Sequence, residues 1–282
     1  MAQTRTSFPN DSTADSESSL PLLQWPRSFG QTARKDGWWI APLFVFLGLG
    51  GFVVYSTWAA FQGAHYRWGP YLSPFYSPEI FGDAQHSWLG AKPGWWPMWL
   101  PWSPALLILW APGGFRLTCY YYRGAYYKAF WADPPSCAVG EPRKSYWGEA
   151  SFPLIMQNVH RYFLYLAIVF LIFLGHDVWK AMWFTDAAGQ IHFGIGLGTL
   201  ILALNLILLG GYTFGCHSFR HLIGGRRDEI SKVPLSAQAY RCAHCLNRRH
   251  MTWAWCSLFS VAFCDVYVRL LSMGIWHDWR IL

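Results

Sequence analysis

The sequence predicts an all-α integral membrane protein with five transmembrane helices, the N-terminus in the cytoplasm and the C-terminus outside. Three observations carry that expectation. Only 13% of the 282 residues are charged and 53% are hydrophobic, against about 25% charged in ordinary soluble domains. The chain holds 19 Trp, and Trp concentrates at membrane–water interfaces. Assigning each Lys and Arg to the nearer membrane side gives 17 on one side and 5 on the other. The positive-inside rule then fixes the orientation, and an odd number of spans satisfies it. The formal charge of +7 is therefore loop charge on a multi-pass protein of the inner (cytoplasmic) membrane. It forms no continuous stripe of the kind that binds nucleic acid.

Residues 1–37 are polar and lack the apolar core of a signal peptide, so they form a cytoplasmic tail with Leu20–Trp25 as its anchor. The membrane domain runs over 38–276. Its first span, about 38–61, contains no charge, and at about 1.5 Å per residue it covers a bilayer core. The loop Gln62–Gly94 is rich in Pro, Gly and aromatics and is expected to cap the helix ends. The second span, about 95–117, carries Pro97, Pro101, Pro104 and Pro112. Two readings stand for it. One is a kinked helix whose ordered part starts near Pro104. The other is a break at Pro112–Gly114 that makes room for a cofactor or quinone.

The tyrosine-rich segment Phe115–Lys128 is an interface belt. The third span, about 155–180, has His160 near its start and His176 near its end. The fourth, about 191–214, begins beside His192 and is rich in small residues that allow close helix contact. The basic loop 215–249 contains Cys242 and Cys245 around His244. The fifth span, about 251–276, contains Asp265 and Arg269, four apart and able to pair on one helix face. Residues 277–282 form an outer tail.

This topology sorts the ligand-type side chains. His160, His217, His221, His244 and His250 share the cytoplasmic side with Cys119, Cys137, Cys216, Cys242 and Cys245. His65, His86, His176, His192 and His277 lie on the outer side. Cys256 and Cys264, inside the last apolar run, read as small buried residues. Three chemistries compete. Haem b could be held by paired histidines, with His160 and His176 at two levels of one helix and His192 and His217 on the next. The Cys/His set could hold zinc or iron–sulfur. Or no metal binds. Two Cys and two His match a Rieske-type [2Fe–2S] centre, in which imidazoles replace two thiolates on one iron. His217 and His221 share a helix face by spacing alone. The Cys pair stays open among Cys242 with Cys245, Cys119 with Cys137, and Cys216.

Five segments carry a resemblance: Phe115–Arg123, Phe130–Val139, Phe152–Tyr162, Cys216–Gly225 and Asn247–Met251. Together they resemble the cytochrome b-like single-subunit membrane anchor of respiratory complex II, succinate dehydrogenase or fumarate reductase. The matching class has five spans and an embedded Rieske-type cluster in place of haem. The resemblance implies that a flavoprotein subunit oxidises succinate in the cytoplasm and an iron–sulfur subunit relays the electrons. The anchor docks both in the lipid bilayer and passes electrons to menaquinone or ubiquinone. It implies metal ligands drawn from Cys119, Cys137, Cys216, His160, His217, His221 and His250, and it does not extend to Cys242 and Cys245. No glycine-rich nucleotide loop is present in a strand–turn–helix setting, so flavin and succinate belong to other subunits. A quinone site needs an apolar slot with a polar group at the carbonyl oxygens. Arg116, Tyr120, Arg161 and Trp253 lie at the right level for it.

Overall fold

The computed structural model describes residues 28–82, 87–143, 150–152, 154–186, 188–225 and 232–282. The Leu20–Trp25 anchor and His86 lie outside the described residues. Among the described residues, four helices are long and apolar enough to cross a membrane. The first, α1 (Ile40–Gln62), buries only Leu49, Ala59 and Ala60. The rest of its apolar surface is left for lipid or a partner. It ends at Gly63, whose φ of 58° is left-handed, and a Cβ there would also press on the Trp102 carbonyl oxygen at 2.5 Å. Only glycine fits both demands.

The proline-rich second segment is not one long helix. Residues 95–103 are irregular, and α2 (Ala105–Ile108) and α3 (Trp110–Leu117) follow, separated at Leu109. Order therefore begins just after Pro104, and α3 runs through Pro112–Gly114 instead of breaking there. The interruption has a simple cause. Pro112 has no N–H, so the Ile108 carbonyl loses its donor four residues on. Bonds from Leu109 N to the Ala105 carbonyl and from Gly113 N to the Leu109 carbonyl keep the axis continuous across the gap. Cys119 is a one-residue extended kink (φ −65°, ψ 130°) before α4 (Tyr120–Tyr126), which ends in a π-turn, Tyr127–Trp131.

A 3-10 turn, Leu154–Val159, leads into α5 (His160–Lys180). The fourth span begins later than its apolar run suggests. Ile191–Phe193 is strand β4, paired antiparallel with β3 (Trp183–Thr185), and the helix α6 starts at Leu197 and runs to Phe214. The β-branched and aromatic residues on both sides of a tight turn favour this hairpin. Cys216 is a second extended kink (φ −67°, ψ 143°), before α7 (His217–Gly224). Helices α8 (Pro234–Asn247) and α9 (His250–Ser272) complete the chain. The last helix stops short of Trp276 because Gly274 turns left-handed at φ 71°.

The cap expected over the helix ends is present. A hairpin of β1 (Arg67–Trp68) and β2 (Tyr71–Leu72) and a 3-10 turn, Pro74–Tyr76, bury Tyr71 and Tyr76 completely. Buried carboxylates tie this cap down. Asp265 accepts from Tyr55 at 2.6 Å and from Arg269 at 3.2 Å, and also from Ser73. The Asp265–Arg269 pairing matches its four-residue spacing. Asp177 accepts from Ser77, and Asp278 accepts from Tyr71 and Tyr267. Cys264 is buried, whereas Cys256 is exposed on the outward face of α9. An apolar run that faces lipid leaves its small residues uncovered in the isolated chain.

Candidate metal centre and adjoining apolar slot

Four helix starts meet at the end of the bundle opposite the cap. His160 is the first residue of α5 and His250 the first of α9, while Cys119 and Cys216 are the kinks before α4 and α7. The tertiary fold brings these four together. His160 Nε2 lies 3.0 Å from Cys216 Sγ, and His250 Nε2 lies 3.5 Å from Cys119 Sγ. Both thiols and His160 are buried. The two contacts face one cavity of about 430 Å³, which Tyr120, Tyr121, Gln157, His217 and Asn247 also line.

The tautomer of His160 follows from its neighbours. The Thr118 hydroxyl donates to the Gly114 carbonyl at 2.7 Å, so towards His160 Nδ1, 2.8 Å away, it must accept. His160 therefore carries its proton on Nδ1 and presents the Nε2 lone pair to Cys216, whose thiol donates to it. Burial pushes the Cys216 thiol up to about 11, while the backbone N–H groups of Ser218 and Phe219 pull the other way. Those amides open α7, so a negative sulfur there would meet the positive end of a helix dipole. Aromatic plates hold both imidazoles. Phe115 stacks on His160 with centroids 4.7 Å apart, and Tyr212 stacks on His250 at 5.0 Å. Phe115 and Tyr212 meet edge to face at 5.4 Å.

Two buried polar atoms on side chains that line this cavity, Gln157 Oε1 and His250 Nδ1, have no hydrogen-bond partner. Buried polar groups are almost always satisfied, so the two mark a site built around something else. Among the described residues no three His, Cys, Asp or Glu side chains converge on a single-metal site. The four donors instead line one cavity as two mixed pairs, Cys216 with His160 and Cys119 with His250. A two-iron centre takes two protein ligands per iron, and a Rieske-type one would need these four to regroup, with both imidazoles on one iron and both thiolates on the other.

Of the other candidate ligands, His217 also lines this cavity, and the rest lie elsewhere. Cys137 is exposed, and its carbonyl accepts from Arg34 at 2.9 Å. His217 and His221 do share a face, with Nε2 atoms 2.9 Å apart. Arg220 donates to His217 Nδ1 at 3.2 Å, so His217 in turn donates through Nε2 to His221. Burial and the neighbouring His221 lower the His217 pKa. Arg220 also reaches His244, and Cys242 and Cys245 are exposed on α8. Towards the cap, His65 bonds Ser272, His176 packs against Trp88, and His192 pairs with Asp186.

A second cavity, about 160 Å³, adjoins the first inside the bundle. Its walls are mostly apolar, from Phe52, Phe75, Pro112, Gly113, Phe115, Phe170 and Tyr212, with Arg116 at one end. Arg116 donates to the Tyr122 hydroxyl at 2.6 Å and to Ser257 Oγ at 3.0 Å, and its guanidinium lies 4.7 Å over the Tyr212 ring. Phe115 and Tyr212 thus form the wall between the slot and the imidazoles. The other quinone candidates are spread out. Tyr120 is exposed beneath Arg123 at 4.4 Å. Arg161 is exposed and folds onto Tyr162 at 5.0 Å. Trp253 packs face-on over Gly211. Thr118, Phe115 and Tyr212 could not be singled out from the sequence, because a threonine and two aromatics in an apolar run carry no signal of what they touch.

Comparison with known proteins supplies the family. The profile of actinobacterial succinate dehydrogenase subunit SdhC matches residues 40–274. This chain belongs to that family. A solved structure described as the Mycobacterium smegmatis Sdh1 complex in the apo form contains a chain 42% identical, with a TM-score of 0.80 over 89% of this chain and 94% of that one. No curated protein matches. The chain is thus an SdhC-type membrane subunit of succinate dehydrogenase, a working part of complex II, and the other subunits of that complex are its partners.

Proposed function

We propose that this SdhC-type subunit passes electrons from the soluble subunits of complex II to a quinone through a Rieske-type [2Fe–2S] centre held by Cys119, Cys216, His160 and His250. The observation that carries the proposal is the meeting of those two thiols and two imidazoles around one cavity, with unpaired Gln157 Oε1 and His250 Nδ1 on its lining. When bound, such a centre would supply one-electron transfer at a higher potential than the all-thiolate [2Fe–2S] clusters of plant-type ferredoxins. The chain's own residues do the rest. Thr118 holds the His160 tautomer, the backbone amides that open α7 point towards Cys216, and aromatic rings stack on both imidazoles. The slot beyond the Phe115–Tyr212 wall takes the quinone ring, and the Arg116 guanidinium supplies the charged donor for a carbonyl oxygen. The basic end then faces the cytoplasm, where the flavoprotein and iron–sulfur subunits dock. The chain lies in the cytoplasmic membrane, and residues 95–126 complete a fifth, broken crossing.

The test is iron analysis and electron paramagnetic resonance on the purified complex. Cys216→Ser and His250→Ala each abolish the low-g signal and quinone reduction, while succinate oxidation by an artificial dye continues. The paired change His217→Ala and His221→Ala keeps the signal. A cluster that survives Cys216→Ser, or is lost with the His217/His221 pair, refutes the ligand set. A b-type optical band with haem in place of iron–sulfur refutes the cofactor.

A further inference from the structure

Helix α7 carries a histidine pair that the proposed cluster does not use. His217 and His221 stand four apart, so one face of the helix presents both rings. Their ring centroids are 4.4 Å apart with the planes at 78°, and the two Nε2 atoms are 2.9 Å apart. Both residues are exposed. Two ring nitrogens therefore converge where solvent reaches them. Imidazoles one helical turn apart are the donor pair that a helix offers to zinc. With Zn–N bonds of about 2.0–2.1 Å and a tetrahedral angle, two ligand nitrogens lie about 3.3 Å apart. A small rotation of either ring opens the observed gap to that separation.

The protons and the nearby cation decide what binding requires. His221 already accepts at Nε2, so its lone pair faces the ligand position. Arg220 donates to His217 Nδ1 at 3.2 Å, which places the His217 proton on Nε2. Ligation through that Nε2 moves the proton to Nδ1, with no net release. Arg220 then gives up His217 and keeps its other bond, to His244 Nδ1 at 3.2 Å. Among the described residues no third His, Cys, Asp or Glu joins the pair, so water completes the shell, as it does at open zinc sites.

We propose that His217 and His221 form a bidentate site for a divalent cation of the zinc class beside the Cys/His cavity, and that the bound ion clamps α7 in its helical form. That helix has eight residues, too few to persist without support, and Cys216 stands at its start. A chelate across one turn fits the helix and not the extended segment, so it stabilises the helix by mass action.

The experiment dialyses the whole purified complex against radiolabelled zinc ion at a buffered free concentration and then follows amide hydrogen exchange. We expect the wild type to hold one zinc more than His221→Ala, with the same iron content in both. With free zinc a hundredfold above the dissociation constant, the α7 amides should exchange about a hundredfold more slowly than without zinc. Those of His221→Ala should not respond. Equal zinc in the two proteins, or no slowing in α7, overturns the proposal. Loss of iron from His221→Ala overturns it as well, because the pair would then serve the cluster. If His221→Ala fails to assemble, His217→Gln removes the other donor and should lose the same zinc. Zinc retained there overturns the site.

Discussion

Thr118 shows how one hydroxyl can decide what a histidine offers. Its donor bond to the Gly114 carbonyl leaves it only an acceptor role towards His160. Thr118→Val removes that acceptor and leaves the buried His160 ring only its bond to the Phe115 backbone, so the imidazole gains reason to change tautomer or rotate. Loss of such a supporting partner typically lowers metal affinity about 10–100-fold. We expect Thr118→Val to lose iron to a chelator at correspondingly lower concentration, and Thr118→Ser to behave as wild type. Equal retention in both would show that the ring is held by Phe115 alone. The residue types at the candidate site were legible in the sequence as a Cys- and His-rich set within and beside the basic segments. The grouping was not. The four-residue spacing of His217 and His221 is a local feature and reads directly, whereas Cys119 with His250 and His160 with Cys216 are separated by 131 and 56 residues. Only packing joins them. One local trace existed, since each of the four stands at the start of a helix or just before it.

At the scale of elements, the contact between α6 and α9 aligns the two halves of the site, Cys216 following α6 and His250 opening α9. At Gly211 the backbone of α6 lies close against α9, and a Cβ there would fall 2.6 Å from the Trp253 ring. Gly211→Ala therefore pushes the helices apart beside Tyr212. Overpacking of this kind costs about 1–3 kcal/mol. The expected outcome is a lower midpoint in thermal unfolding of the solubilised complex, with weaker quinone reduction than dye reduction. An unchanged midpoint would mean that Trp253 swings aside without strain. The long uncharged helices could be read from the sequence because length and apolarity suffice. The β3–β4 hairpin and the broken second segment were harder. Ile191–Phe193 is as apolar as the helix it precedes, so hydropathy cannot separate strand from span. The effect of Pro112 depends on whether neighbouring bonds bridge the gap, which the sequence does not state.

On the scale of the whole molecule, the two ends are built differently. The basic end keeps a cavity with unpaired polar atoms, as functional sites do at some cost in stability. The cap end closes its polar groups around buried carboxylates. Asp265 is the hub, with side-chain exposures of 0% for Asp265 and 4% for Arg269. Replacing it by Leu leaves Arg269 buried without a counter-charge and removes the acceptor of Tyr55 and Ser73. Breaking a buried pair on one side costs about 3–5 kcal/mol, whereas replacing both members by apolar groups can be nearly neutral. The double variant Asp265→Leu with Arg269→Met should therefore recover much of what the single change loses. The cap turn also forms one wall of the apolar slot through Pro74 and Phe75, so a loosened cap reaches the slot without touching the Cys/His cavity. Heat inactivation of Asp265→Leu should show quinone reduction failing before dye-coupled succinate oxidation, with the cluster signal lost last. Simultaneous loss of all three would show that the cap stabilises the bundle as one unit rather than guarding the slot.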